Sequence, residues 1–246
     1  MSELMKSIGE NLGFVLEILA VIVVLFIIAS VLEKIAQKKQ NIKEPVFTTR
    51  KVAVIGVFSA ISTILMLLEI PLFFVPGMYK LDFSEVPILI SSFAFGPATG
   101  VMMEFLKNLL KLLFKPTSTA FIGELANFAV GCSFILPAST IYAFKKSKKN
   151  AIAACVVSTL VLTVFGTAFN AIYLLPAFAK YYGMPLETII NMGVEINPFV
   201  SEGSIVSFVV ACVAPLNLLK GTLVSIMTMV IYKPLSKVIK SSGQGR

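Results

Sequence analysis

The chain has 246 residues, 57% of them hydrophobic and only 14% charged, with a mean hydropathy of +0.91. Soluble domains carry about 25% charged residues, so a soluble globular enzyme is excluded. Histidine is absent, which removes the commonest metal ligand, the commonest general acid or base, and any Ser-His-Asp arrangement.

Crossing a hydrocarbon core of ~30 Å takes roughly 20 helical residues, and several apolar runs reach that length. They are continuous rather than alternating, which argues against a barrel. The first run, about Leu12 to Ile35, is too long for a signal-peptide core and ends in Glu33-Lys34 rather than a cleavage site, so it reads as a retained spanning helix. A polar linker follows, with Lys38, Lys39, Lys43, Arg50 and Lys51. The second helix is predicted over about Lys51 to Leu68, followed by a connection from Glu69 to Lys80 containing Pro71, Pro76 and Gly77. Asp82 or Ser84 can cap a short helix ending near Phe95. Gly96-Pro97 breaks it, and a further helix continues to about Phe114. After the turn Lys115–Thr119, helices are predicted over about Ala120 to Phe144 and Ile152 to Leu175. Pro176 should end the latter and start a long, more polar connection to about Gly203, before a last helix from Ser204 to Tyr232 and a basic tail.

Of the 21 Lys and Arg, 14 fall in three places: Lys34 to Lys51, Lys145 to Lys149, and the tail from Lys233. Seven spans put all three on one side, which the positive-inside rule makes cytoplasmic. The N-terminus is then outside, the C-terminus inside, and the +8 net charge reports topology rather than nucleic-acid binding. Residues 1–47 form an extra helix with its basic linker, 48–240 a membrane domain, and 241–246 a basic tail. Cys132, Cys155 and Cys212 sit singly in apolar segments without metal-site spacing, as small packing residues do.

Lys220 lies near the middle of the last apolar segment, one turn after Asn217. A lysine at that depth costs roughly 2.5–3.5 kcal/mol on insertion scales, so it should face the protein interior. Glu104, Lys107, Asn108 and Lys111 share one helix face by i, i+3, i+4 spacing. Glu124 and Asn127 begin the next helix, and Asn170 and Tyr173 lie late in the sixth. Together they suggest a polar pocket opening outward. Each also has a structural reading: Glu104 pairing with Lys107 or Lys111, the asparagines bonding neighbouring helices, and Lys107 and Lys111 snorkelling to the interface. On the second helix Ala53, Gly56, Ala60 and Thr63 form a small-residue stripe, suited to internal packing or to docking a partner membrane subunit. Neither G-x-x-x-x-G-K-[ST] nor G-x-G-x-x-G occurs, so ATP hydrolysis would need another subunit.

Tyr79-Lys-Leu-Asp-Phe-Ser-Glu-Val-Pro87, Phe95-Gly-Pro-Ala-Thr-Gly100, Glu104-Phe-Leu-Lys-Asn108 and Gly123-Glu-Leu-Ala-Asn127-Phe resemble the S components of energy-coupling-factor vitamin transporters. Ala214-Pro-Leu-Asn217-Leu-Leu-Lys220-Gly221 and the Asn170 helix resemble the riboflavin-specific type. The resemblance covers about residues 48–240. It implies an all-α, six-helix S-component bundle in a prokaryotic plasma membrane, with the Leu12 to Ile35 helix as an addition. It further implies an outward-facing flavin pocket capped by the connection after the first core helix, which brings Met78, Lys80 and Leu81 to the ligand. Asn170, Asn217 and Lys220 align with positions that hold the isoalloxazine, and Ala53, Gly56 and Ala60 with the face that docks on a transmembrane coupling subunit. Two cytoplasmic ATPases complete the implied complex; riboflavin is cargo, and no cofactor is implied. Riboflavin carries no charge to neutralise, so Lys220 needs a counter-charge, for which Glu104 and Glu124 are both candidates, or must lower its pKa. Two other readings are an S component for a different vitamin and a membrane-embedded enzyme using Glu104 and Lys107 as acid and base.

Overall fold

The computed structural model describes residues 12–42 and 45–241. Residues 1–11, Lys43 of the basic linker and tail residues 242–246 lie outside them. The N-terminal apolar run is helix α1 (Leu12–Lys39), one turn longer than predicted. Helix α2 (Thr49–Leu67) starts at Thr48, whose hydroxyl accepts the Lys51 N–H. Its connection forms a two-residue antiparallel ladder, β1 (Ile70–Pro71) with β2 (Lys80–Leu81). Helices α3 (Glu85–Phe95), α4 (Pro97–Phe114), α5 (Ile122–Phe144) and α6 (Lys148–Phe169) follow. Ser84 occupies the N-cap position of α3 without a side-chain cap bond; Asp82 Oδ1 instead accepts the Ser84 N–H in the preceding turn.

The sixth apolar segment does not end at Pro176. It passes through a π turn, Asn170–Leu174, into α7 (Leu175–Tyr182). The long connection then contains a helix of its own, α8 (Leu186–Val194). The last segment repeats the device: α9 (Ile205–Phe208), a π turn at Val209–Val213, then α10 (Ala214–Ser241). The Leu175 N–H bonds to the Asn170 carbonyl and the Ala214 N–H to that of Val209, each immediately before a proline, Pro176 and Pro215. A proline ring collides with the carbonyl four residues back. Widening the preceding turn by one residue relieves that collision without breaking the rod.

Among the described residues, five helical stretches are long and apolar enough to cross a membrane: Val15–Lys39, Thr49–Leu67, Ile122–Phe144, Lys148–Tyr182 and Ile205–Tyr232. The expected count of seven is not reached on that measure. Helix α3 has 11 residues, and the 18 of α4 include Glu104, Lys107 and Lys111. The charges of α4 are tolerated because Glu104 and Lys107 are fully buried in the bundle rather than exposed to lipid.

Helices α5 with α6 and α6 with α10 make the most extensive contacts, while α2 packs on α3 and α4, and α10 closes on α3. Helix α1 lies across α4 and α5 around Ala29, Ala98, Val101, Phe128 and Cys132. Its Glu33, 3% exposed, pairs with Lys51 at 2.8 Å and accepts the Ala98 N–H at the start of α4. Gly96 (φ 107°) leaves the room, since a Cβ there would lie 2.5 Å from that carboxylate. All three basic stretches gather at one end. There Gln40 donates to the Ala143 carbonyl, Lys39 lies over Phe144, and Tyr142 meets Tyr232 just before the tail.

Candidate functional site

Helix α10 packs on α3, which brings mid-helix Lys220 to the first turn of α3. Lys220 Nζ lies 3.0 Å from Asp82 Oδ2 and 3.0 Å from Glu85 Oε1. Glu85 Oε1 is also 3.3 Å from Lys107 Nζ, which lies 2.7 Å from Glu104 Oε2 and donates to Ser84 Oγ. Three carboxylates and two ammonium groups thus form one buried network joining the β2–α3 turn, α3, α4 and α10. Carboxylates at the start of α3 also suit the positive end of its dipole.

The counter-charges of Lys220 are therefore Asp82 and Glu85, neither of the two carboxylates considered from sequence. Glu104 goes to Lys107 on its own helix, in a space left by Gly131, where a Cβ would lie 2.5 Å from Glu104 Oε2. Glu124 goes to Lys111 (3.3 Å) and accepts from the Thr117 hydroxyl. In the sequence Asp82 stands out only as a candidate helix cap, and Glu85 only within the Tyr79–Pro87 motif. Their i, i+3 spacing beside a strongly apolar run was the available sign of a second use.

Burial opposes ionisation of Asp82, but the Lys220 and Lys107 ammonium groups outweigh it and hold its carboxyl down at about 2, below its ordinary 3.8. A depressed carboxylate stabilises the fold fully above its unfolded pKa, and that stability is lost as pH falls through the folded value. Melting temperature in detergent should therefore drop between pH ~4 and pH ~2, and Asp82→Asn should flatten that part of the profile.

Asn170 and Asn217 meet across Gly166. The Asn170 amide donates to the Gly166 carbonyl at 2.7 Å, and its Oδ1 accepts from the Tyr79 hydroxyl at 2.7 Å. A Cβ on Gly166 would collide with Asn217 Nδ2, which is buried with no hydrogen-bond partner among the described residues. Lys220 follows one turn later. Tyr79 belongs to the connection after α2 and was not singled out from sequence. Tyr79→Phe should cost about 0.5–1.5 kcal/mol, a single neutral hydrogen bond, seen as a modestly lower melting temperature.

Two cavities border the charged network, and neither is lined by Asn170 or Asn217. One of about 270 Å³ is lined by Met78, Lys80, Asp82, Glu124, Asn127 and Tyr182, among others. A smaller one, about 20 Å³, lies between Glu85, Asn127, Gly131 and Lys220. Asn127 lines both, its amide donating to the Gly123 carbonyl. Lys80 reaches Glu69 at 2.5 Å and closes the connection on itself; Leu81 is buried beside it. Burial disfavours the Glu69 charge, but Lys80 and Lys115 prevail and its carboxyl stays below the usual range.

Other expected site residues lie elsewhere. Asn108 donates to the Glu104 carbonyl and, like Glu104, lines neither cavity. Tyr173 stacks on Phe169 and faces an apolar crevice of about 860 Å³ against α1. Asn170 opens the π turn on the polar side, and Tyr173, within the turn, lies away from it. The stripe of Ala53, Gly56 and Ala60 is exposed, with nothing within 4 Å of a Cβ on Gly56. Thr63 leaves the stripe: it is buried and bonds to the Ser59 and Lys107 carbonyls.

Residues 50–232 match the family described as the ECF transporter substrate-specific component. The chain belongs to that family. This S component is 32% identical over 204 residues to the riboflavin transporter RibU of Staphylococcus aureus, covering 83% of this chain and 97% of the relative. It is 28% identical to the riboflavin transporter FmnP of Bacillus subtilis, covering 78% and 94%. A solved S component of a bacterial ECF transporter superposes with a TM-score of 0.60 at 33% identity, covering 77% of this chain and 97% of that one. As a member of a transporter family, the S component is a multi-pass membrane protein rather than an enzyme. Its helix α1 lies outside the family match.

Proposed function

We propose that this S component binds riboflavin on the outer side of the plasma membrane. It hands the vitamin inward when two cytoplasmic ATPases, joined through a transmembrane coupling subunit, hydrolyse ATP. The observation that carries this reading is the buried, unpartnered Asn217 amide beside Asn170 on Gly166, with Lys220 one turn away. The pyrimidine edge of an isoalloxazine presents carbonyl acceptors and an imide N–H. An asparagine amide matches both, and an ammonium donates strongly to a carbonyl. Lys220 has three N–H donors; Asp82 and Glu85 take two, leaving one for the flavin without loss of charge balance. The riboflavin transporters among the relatives support the same ligand.

Residues 48–240 would carry this activity, with the connection from Glu69 to Lys80 as the cap and Met78, Lys80, Leu81 and Asn127 at its ligand side. The gathering of basic stretches at one end supports a cytoplasmic C-terminus and an outside N-terminus. The exposure of Ala53, Gly56 and Ala60 supports α2 as the face for the coupling subunit. Protein purified from its own cells should carry a small molecule with flavin absorbance and the mass of riboflavin. Retention of thiamine, biotin or a folate instead would reassign the cargo, and failure to quench added riboflavin fluorescence would remove the claim.

A further inference from the structure

The end opposite the proposed vitamin site holds a polar cavity of about 400 Å³, walled by α1, the start of α2, the α3–α4 elbow and the end of α5. Glu33, Gln37 and Gln40 come from α1, Thr48, Arg50 and Lys51 from α2, and Lys146 from the loop after α5. The charge of Lys51 is answered by Glu33 at 2.8 Å. Arg50 adds a further positive charge to the wall. The Arg50 guanidinium lies over the Phe95 ring, 5.7 Å from its centroid, and its Nη2 is buried without a hydrogen-bond partner among the described residues. An arginine fork held against an aromatic ring with an unspent donor is suited to a phosphate.

We propose that this cavity binds the phosphate of an anionic phospholipid headgroup. The site stands where the basic stretches of the chain gather, and such stretches attract anionic headgroups. Exposed apolar side chains flank it, Ile35 on α1 and Ile42 and Phe47 in the linker, and they offer a path for acyl chains leaving the cavity. The start of α2 adds the positive end of its dipole to the Arg50 wall. Because α1 supplies one side, the site does not exist in the family-matched span alone.

The test uses the full-length protein in detergent, with bound lipid counted by native mass spectrometry and stability followed by thermal melting. The expected result is one retained phosphatidylglycerol and a raised melting temperature, with phosphatidylcholine retained at least fivefold less. Arg50→Gln should cut phosphatidylglycerol retention at least fivefold while riboflavin binding stays within twofold, and Arg50→Lys, which keeps the charge but loses the fork over Phe95, should cut it less than Arg50→Gln does. If Arg50→Gln does not fold, Phe95→Leu, which removes the ring under the guanidinium, reads the same cavity, and wild-type lipid retention there overturns the proposal. Arg50-dependent stabilisation by inorganic phosphate with none by phosphatidylglycerol would overturn the lipid assignment. Equal retention by wild type and Arg50→Gln would overturn the site. Riboflavin binding is measured separately, so failure of this site leaves the vitamin reading untouched.

Discussion

Lys220→Met should lower stability by about 3–5 kcal/mol, the usual cost of removing one member of a buried ion pair, and weaken riboflavin binding at least tenfold. The substitution keeps most of the side-chain volume, so the loss reports charge. Asp82 is left without its ion-pair partner and Glu85 keeps only Lys107. The two effects can be separated. Adding Asp82→Asn removes the carboxylate stranded by the first change, so stability should recover in part. Binding should not recover, because the donor proposed for the flavin carbonyl is still missing. Chemical or thermal melts give the first quantity and riboflavin fluorescence titration the second. Parallel recovery of both in the double variant would show that Lys220 acts on the ligand only through the fold.

Glu33→Leu should produce a comparable stability loss at the other end, again about 3–5 kcal/mol, with riboflavin affinity changed less than about threefold. Lys51 would lose its ion pair and keep only the Pro45 carbonyl at 3.4 Å, and the Ala98 N–H would lose its acceptor. A second change, Lys51→Met, should restore much of the stability, because an apolar pair often replaces a buried ion pair at little cost. This result would mark α1 as bound to the core through its last turns. Unchanged melting in Glu33→Leu would mean that α1 contributes little to the fold.

Much of this architecture was legible in the chain because lipid imposes a simple rule on long apolar runs. The helix positions, the basic end and the anomaly of Lys220 follow from local composition. The partner of Lys220 did not, since Asp82 is 138 positions away and only the packing of α10 on α3 brings them together. Glu104 and Glu124 looked equally suitable as isolated carboxylates, yet each is taken by a nearer lysine. Pro176 was read as a stop because a proline in a regular helix is one, and nothing local announces that the preceding turn widens. That same turn separates Asn170, which lies beside Asn217 at Gly166, from Tyr173, which three residues later faces α1.

The two wide turns also make the proposed vitamin site adjustable one residue at a time. A residue added to a helix rotates everything on one side of it by about 100° relative to the other. Both rods already contain such an inserted residue, at the same distance before a proline. Gain or loss of that residue would re-aim α7, whose Phe178 and Tyr182 line the larger of the two polar cavities, while Asn170 stays with α6, seated on α5 and α10. A bundle built this way can change what it recognises by indexing a rod like a dial, without redesigning its core.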